Sequence, residues 1–267
     1  MEAIARPAAT IMLLRDGPDG IEVFMVVRNN AIAFAAGALV FPGGRVEAAD
    51  HDLAAGCLDQ AGLGPEGSGP AAPGFRVAAI RETFEECGVL LVRPAGSARL
   101  IDGATLRLVE ARHRAALNAG SVGFGSVLAE EGLRPALDLL VHFAHWITPA
   151  HQPKRYDTHF FLAAAPAEHL AVHDGGEAVD SLWITPARAL ADTEAGRFKL
   201  VFATARNLAK LGRFATVQAA LAACRGQRVV TVLPQGTRLA DGRRLMRIPA
   251  EADYGGSEFV VTYEPAS

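Results

Sequence analysis

The stretch RETFEECGVLL, Arg81–Leu91, brings three glutamates within five positions and then reaches a glycine. At about 100° per residue, the apolar positions predict a helix from Arg76 to Cys87. One side of this helix is apolar and consists of Val77, Ile80, Phe84 and Cys87. The opposite side carries three carboxylates, those of Glu82, Glu85 and Glu86. Gly88 follows, where a left-handed residue commonly ends a helix.

The acidic side of this helix has two interpretations. Like charges three or four positions apart destabilise a helix by about 0.2–0.5 kcal/mol per pair, so a solvated acidic face is the simpler one. A divalent cation reverses the sign of the interaction, because Mg²⁺ and Mn²⁺ prefer oxygen ligands and a rigid helix can direct several of them at one point. Residues outside the helix decide between these interpretations.

The flanking segments resemble a known motif. FPGGRVEAAD precedes the helix and CGVLL ends it. Together they resemble the Nudix box, in which a glycine and an acid precede Arg-Glu-x-x-Glu-Glu-x-Gly. Gly44 and Asp50 match the first half, although the family usually has Glu at the second position, and Arg81–Val89 matches the second half. The spacer is longer than in the standard box and contains a Gly/Pro-rich loop insertion, 51–75, which is tolerated because loop-closure entropy grows slowly with length.

The remaining sequence predicts an α+β fold. AATIMLLRDGPDGIEVFMVVRNN is typical of a strand, a turn and a second strand, because turn-forming residues separate two aliphatic runs. The resemblance implies a Nudix-type α/β/α sandwich with a mixed sheet. We expect a Nudix hydrolase domain over residues 1–225, with a helical insertion at 103–140. A β-rich C-terminal extension, 226–267, is expected to pack on the same domain.

Three further segments narrow the resemblance. They are VVRNNAIAFAAGALVFPGGRVEAAD, HWITPAHQPKRYDTHFFLA and DSLWITPARAL, in that order. They look like the acyl-CoA/CoA diphosphatase-like branch of Nudix hydrolases, with peroxisomal members and bacterial relatives, which also carries an insertion inside the box. This implies metal-dependent hydrolysis of CoA or acyl-CoA to 3′,5′-ADP and (acyl-)4′-phosphopantetheine. Hydrolysis of ADP-ribose or a dinucleotide is an alternative, and a non-catalytic metabolite sensor is another.

The resemblance also implies roles for the motif residues. The ligands implied for Mg²⁺ or Mn²⁺ are the backbone carbonyl of Gly44 and the carboxylates of Glu82, Glu85 and Glu86. Glu82 is either a ligand or a base for water, and Arg81 holds a glutamate in orientation through a charge-assisted bond. Glu177 is the expected further acid from a late loop, with Asp174 and Asp180 as alternatives.

The substrate side is less defined by the sequence. Arg155 and Arg28 lie at predicted strand ends, where each either contacts a phosphate or forms an ion pair. Phe34 is a candidate for stacking on a base, and so is Trp146, although single aromatics among aliphatics usually belong to the core. Four histidines lie near one predicted hairpin and are interpreted as strand-face residues rather than ligands: His142, His145, His151 and His159.

Composition limits the remaining possibilities. The chain has 267 residues and a formal net charge of −3, which gives no reason to expect nucleic acid as a partner. Three widely spaced cysteines and the absence of an apolar run long enough for a membrane span predict a cytoplasmic protein. The excess of arginine over lysine, with many alanines, is typical of a GC-rich bacterial genome. The expected partner is a small nucleotide-type substrate. The additional segments are expected either to cover that substrate or to form a homodimer.

Overall fold

The computed structural model describes residues 3–28, 37–57, 72–169 and 178–262. The strands are β1 (Arg6–Gly17), β2 (Gly20–Arg28), β3 (Leu39–Val40), β4 (Gly43–Arg45), β5 (Val92–Pro94), β6 (Leu133–Pro135), β7 (Val141–Ile147), β8 (Tyr156–Ala164), β9 (Ala178–Ile184), β10 (Thr231–Val232), β11 (Gln235–Arg238), β12 (Arg244–Arg247) and β13 (Glu258–Val261). The helices are α1 (Ala48–Ala55), α2 (Pro73–Cys87), α3 (Gly103–Val109), α4 (Ala115–Asn118), α5 (Phe124–Glu130), α6 (Pro186–Glu194), α7 (Phe202–Leu211) and α8 (Val217–Cys224).

Eight strands form one mixed sheet. Six of them run in the order β10-β7-β8-β1-β2-β3, while β4 pairs with β1 and β9 pairs with β2. The long strand β1 pairs in parallel with β8 along one edge. Along its other edge it pairs with β4 near its start and with β2 near its end, both antiparallel. The β1–β2 hairpin predicted from the turn residues is confirmed, and the Gly-Gly segment lies beside the central strand.

The sheet separates two hydrophobic cores. Alternate residues of a strand point to opposite faces, and in β1 Ile11 and Leu13 belong to one core while Met12 and Leu14 belong to the other. The first core also contains residues of α1, α2 and the insertion helices. The second contains residues of α6, α7 and α8. The α+β fold, with helices on both faces of a mixed sheet, is therefore confirmed.

The helix that carries the three glutamates is longer than predicted. It begins at Pro73, because proline is well suited to the first helical turn, and ends before Gly88, whose φ is 69°. The sequence predicted a left-handed helix end at Gly88, and the structure has it at that residue. Because α1 reaches Ala55 and α2 starts at Pro73, the predicted loop insertion 51–75 is wrong at both ends, where the chain is helical.

The two additional segments have different structures. Residues 103–140 contain α3, a π-helical turn (Glu110–Arg114), α4, α5, the short strand β6 and a 3₁₀ turn (Leu137–Leu139), so the predicted helical insertion also includes a strand. In the later segment β10 pairs with β7, and β11–β13 form a separate three-stranded sheet. The indole N–H of Trp146 donates to the Tyr254 hydroxyl at 2.8 Å, so this extension reaches the second core. The domain boundary at residue 225 stays a prediction. None of the helices in the described part of the chain has the length and apolar character that crossing a membrane requires.

Candidate active site

The acidic side of α2 lies against the Gly-Gly segment of β4. The backbone N–H of Gly43 donates to Glu86 Oε2 at 2.9 Å. A Cβ atom placed on Gly44 would lie 2.5 Å from the Glu82 carboxylate, so this carboxylate occupies the space of the missing side chain. Gly43 has a φ of 154°, which favours glycine. Two adjacent glycines therefore let the strand approach two of the three glutamates closely.

Arg81 connects both halves of the motif. Its Nε and Nη2 atoms each donate to the Asp50 carboxylate at 3.0 Å, and Nη2 also donates to the backbone oxygen of Arg45 at 2.8 Å. Its Nη1 atom donates to Glu82 at 2.9 Å and to Glu85 at 3.3 Å. The Arg81 and Asp50 side chains are 8% and 3% exposed. The guanidinium is thus a buried cross-link, and Asp50 contacts it rather than the Gly-Gly segment.

The charges in this site are unbalanced. Burial raises the pKa of Glu82 to about 7; the charge of Arg81 opposes this shift and that of Glu85 adds to it. Burial also raises the pKa of Glu85. For Arg81, burial lowers the pKa, but the Asp50 hydrogen bonds and the neighbouring carboxylates raise it to a net value above the ordinary one. One guanidinium therefore serves several carboxylates.

The donor set fits a hard divalent cation. The side chains on the acidic side of α2 that face the Gly-Gly segment of β4 are carboxylates. Mg²⁺ and Mn²⁺ prefer oxygen ligands over nitrogen or sulfur. Glu82, Glu85 and Glu86 would hold such an ion, and one backbone oxygen of β4, that of Arg45, accepts from the same guanidinium as Glu82 and Glu85. A dication would supply the positive charge that Arg81 alone does not.

The helical insertion contacts this site directly. Arg114 Nε and Asn118 Nδ2 both donate to the backbone oxygen of Glu85, at 3.2 and 3.3 Å. A cavity of about 350 Å³ lies between α1 and the start of α5, and its lining includes Asp50, Leu53, Arg81 and Phe124. No motif in the sequence marks Arg114 or Asn118, because their contacts depend on how the helical insertion folds back onto α2.

Of the predicted substrate residues, the two whose side chains the structure describes, Arg155 and Trp146, have partners elsewhere in the fold. Arg155 donates from Nε to the Thr148 oxygen at 3.0 Å and from Nη1 to the Ala3 oxygen at 2.7 Å, so its planar fork binds backbone rather than pointing freely at a phosphate. Trp146 is buried in the core, with 4% of its surface exposed. Several candidates lie outside the described residues: Phe34, Asp174, Glu177 and the side chain of Arg28. Asp180 is in β9.

The chain is similar to known proteins in both sequence and structure. Residues 59–204 match the NUDT19 Nudix domain model. Acyl-coenzyme A diphosphatase NUDT19 of Gallus gallus is 30% identical over 65% of this chain and 56% of that protein. The Xenopus laevis protein of the same name is 26% identical over 73% of this chain and 61% of its own. The chain therefore spans only 56% to 61% of the length of these curated relatives.

A solved structure is also similar. The crystal structure of a NUDIX hydrolase from Alicyclobacillus acidocaldarius is 27% identical, with a TM-score of 0.64. The superposition covers 82% of this chain and 96% of that one. The similarity therefore extends well beyond the motif.

Proposed function

The chain belongs to the NUDT19 Nudix domain family, and on this premise we propose that it is a divalent-metal-dependent hydrolase of nucleoside-diphosphate-linked metabolites. The reaction adds the oxygen of water to one phosphorus of the pyrophosphate. The bridging P–O bond breaks, and the bridging oxygen leaves with the other phosphorus. The products are two phosphate monoesters, and two protons are released when both products are dianions.

The observation that carries this proposal is the arrangement of the three glutamates. Arg81 fixes Glu82 and Glu85 from one side, and the Gly43 N–H fixes Glu86 from the other. Carboxylates held by separate donors stay in place before substrate arrives, so little reorganisation is required during the reaction. Carboxylates on a solvated helix face are hydrated by water, whereas here a buried guanidinium, that of Arg81, donates to two of them.

The residues of the chain and the ion have separate tasks. When bound, a divalent ion screens the charge of the pyrophosphate and lowers the pKa of the attacking water. Glu85 and Glu86 are proposed as ligands, Glu82 as a ligand or as the base that accepts the proton of water, and Gly44 as a ligand through its carbonyl. Arg81 positions the glutamates and does not contact the substrate, since its donors are already used within the chain.

CoA or acyl-CoA is the substrate that we propose. The names of the curated relatives support this choice, and so does the cavity beside Arg81, which offers Leu53 and Phe124 as an apolar surface next to the charged site. An acyl chain is apolar and the pantetheine arm has methyl and methylene groups between its amides, whereas ADP-ribose and dinucleotides carry a second sugar or base at this end. Contacts from Arg28, Phe34 and Glu177, a bacterial cytoplasmic location and a homodimer remain part of the proposal.

A substrate panel tests the proposal. The purified chain is incubated with Mg²⁺ or Mn²⁺ and free CoA, acyl-CoAs, ADP-ribose, NADH or diadenosine polyphosphates, and the products are separated by chromatography. We expect 3′,5′-ADP and the matching phosphopantetheine. The Glu85→Gln variant is expected to lose about 10³-fold in rate, whereas Glu130→Gln, at an exposed position of α5, should retain full activity. Preferred cleavage of ADP-ribose would refute the substrate, and tight binding without cleavage would refute the activity.

A further inference from the structure

A second group of ligand-type side chains lies away from the glutamates. His145 on β7 and Asp157 and His159 on β8 form a cluster in which one ligand atom from each lies within 4.8 Å of the others. His145 Nε2 is hydrogen-bonded to Asp157 Oδ1, and His159 Nε2 is 4.0 Å from the same oxygen. The two imidazole rings are stacked with their centroids 4.0 Å apart. One nitrogen of each ring and a carboxylate oxygen therefore lie within 4.8 Å of one another, and the stacked rings have to tilt for both nitrogens to face one ion.

The other ring nitrogen of each histidine has a partner of its own. His145 Nδ1 is 2.8 Å from the Thr231 hydroxyl, and His159 Nδ1 is 3.0 Å from His142 Nε2. Histidines that bind a metal through one nitrogen almost always donate from the other one to such an outer partner. Without a metal, His145 donates from Nε2 to Asp157 and accepts the Thr231 proton. A cation that replaces the Nε2 proton only requires the hydroxyl to rotate, because a hydroxyl both donates and accepts.

We propose that His145, Asp157 and His159 bind a transition-metal dication of the Zn²⁺ type. Two imidazoles and one carboxylate suit Zn²⁺ and its neighbours in the first transition row, whereas Mg²⁺ prefers oxygen ligands. The His145 and His159 side chains are 8% and 3% exposed, and the Asp157 side chain is 35% exposed. The ion enters from the Asp157 side, where water completes its coordination.

This site is separate from the glutamates. His145 of β7 lies opposite His159 of β8 in the sheet. On its other side, His159 lies opposite Ala9 of β1, and Ala9 lies opposite Gly44 of β4. Two strand spacings, roughly 10 Å, therefore separate His159 from Gly44 along one face of the sheet. The ion at this site cross-links β7 to β8, so its expected effect is on stability and does not require it to take part in hydrolysis.

Metal retention tests the proposal without an activity assay. The protein is stripped with chelator, dialysed against limiting Zn²⁺ in millimolar Mg²⁺, and analysed by elemental mass spectrometry. About one Zn²⁺ per chain is expected, both in the natural sequence and in the Glu85→Gln/Glu86→Gln variant. Asp157→Asn, an isosteric change at a partly exposed side chain, should lose the ion, whereas His151→Asn, at an exposed position, should keep it.

An outer-shell variant and a folding control complete the test. Thr231→Val should weaken Zn²⁺ binding by about 10- to 100-fold. Circular dichroism in chelator should show Asp157→Asn folded like the natural chain, so that loss of metal is not loss of fold. Equal Zn²⁺ retention by Asp157→Asn and the natural chain would overturn the proposal, as would Zn²⁺ lost only from the double glutamine variant. Either result would leave the cluster as a hydrogen-bonded His–Asp pair.

Discussion

Asp50 and Arg81, which are 31 positions apart, are joined by two hydrogen bonds of 3.0 Å each, one to each carboxylate oxygen. Asp50 Oδ2 also accepts the backbone N–H of Glu47 at 2.8 Å, which fixes the start of α1. The planar fork of arginine matches a carboxylate in this geometry. The pair thus connects α1 to α2 across the loop insertion, and the length of the spacer between them has little influence on where the glutamates lie.

The first prediction concerns this pair. Asp50→Asn should lower the free energy of unfolding by about 2 kcal/mol, because an amide has one acceptor oxygen where the carboxylate has two, so buried N–H groups of Arg81 and Glu47 lose an acceptor. Hydrolysis should fall as well, since Arg81 is no longer held behind Glu82 and Glu85. Urea unfolding and steady-state rates measure the two effects. Asp52→Asn, at an exposed position of the same helix, is the control, and equal stability of the two variants would contradict the prediction.

Gly44→Ala should remove activity with little loss of stability. The added Cβ would lie 2.5 Å from the Glu82 carboxylate, which therefore has to leave its position. We expect at least about a 10²-fold loss in rate, comparable to the effect of a displaced catalytic group. Gly56→Ala is the matched control, because its Cβ would lie 3.6 Å from the Leu53 oxygen, an ordinary van der Waals distance. A Gly44→Ala enzyme as active as Gly56→Ala would show that Glu82 does not need this contact.

Local rules predicted the parts of the fold that depend on neighbouring residues. Helical periodicity located the acidic side of α2, glycine's tolerance of positive φ located its end at Gly88, and a cluster of turn formers located the β1–β2 hairpin. The start of α2 was missed because the Gly/Pro-rich composition before it is typical of a loop, although Pro73 is well suited to a first helical turn.

Long-range contacts were not available from the sequence. The motif matched Asp50 to an acid of the box but did not reveal its pairing with Arg81, which needs α1 and α2 to pack against each other. The histidines were interpreted as strand-face residues, since His145 and His159 have no metal-type spacing along the chain and meet only through the register of β7 and β8. Arg155 is a similar case, because its backbone partner Ala3 is distant in sequence.

A third prediction concerns the helical insertion at 103–140. Arg114→Ala should reduce the rate about 10-fold, because Arg114 donates to the backbone oxygen of Glu85 and steadies the end of α2. Its effect should be larger on kcat than on KM, since Arg114 acts through Glu85 and not on the substrate. Arg112→Ala removes an arginine two positions away that is 58% exposed and pairs with Glu131. Equal rates for the two variants would show that the helical insertion does not hold Glu85 in place.

Removal of the divalent ion should affect both activity and stability. Chelator should abolish hydrolysis, and Mg²⁺ added alone should restore it. An ion that binds only the folded chain stabilises it by about 2.7 kcal/mol at a concentration of 100 times Kd, so the melting temperature should rise with Mg²⁺. Differential scanning fluorimetry measures this shift, which should be smaller in Glu85→Gln than in Glu130→Gln. Hydrolysis that persists in chelator would contradict the proposal that the glutamates of α2 hold a divalent ion that the reaction requires.

The second core should influence stability without influencing the reaction. The Tyr254 hydroxyl accepts from Trp146 Nε1 and donates to Asn207 Oδ1, both at 2.8 Å, and all three residues are buried. Tyr254→Phe leaves a buried donor and a buried acceptor without this partner, which should cost about 2 kcal/mol or more in unfolding free energy. The rate at 25 °C should not change, because this core lies on the face of the sheet opposite α2.

A double-mutant cycle isolates that hydroxyl network. Asn207→Leu removes the acceptor, so Tyr254→Phe should cost less in its presence than in the natural chain, with a coupling energy of about 1 kcal/mol. Urea unfolding of the four proteins gives this value. Additive effects of the two substitutions would show that Tyr254 and Asn207 contribute independently. In that case packing of the Tyr254 ring on Trp146, with centroids 5.2 Å apart, would be what anchors the C-terminal segment.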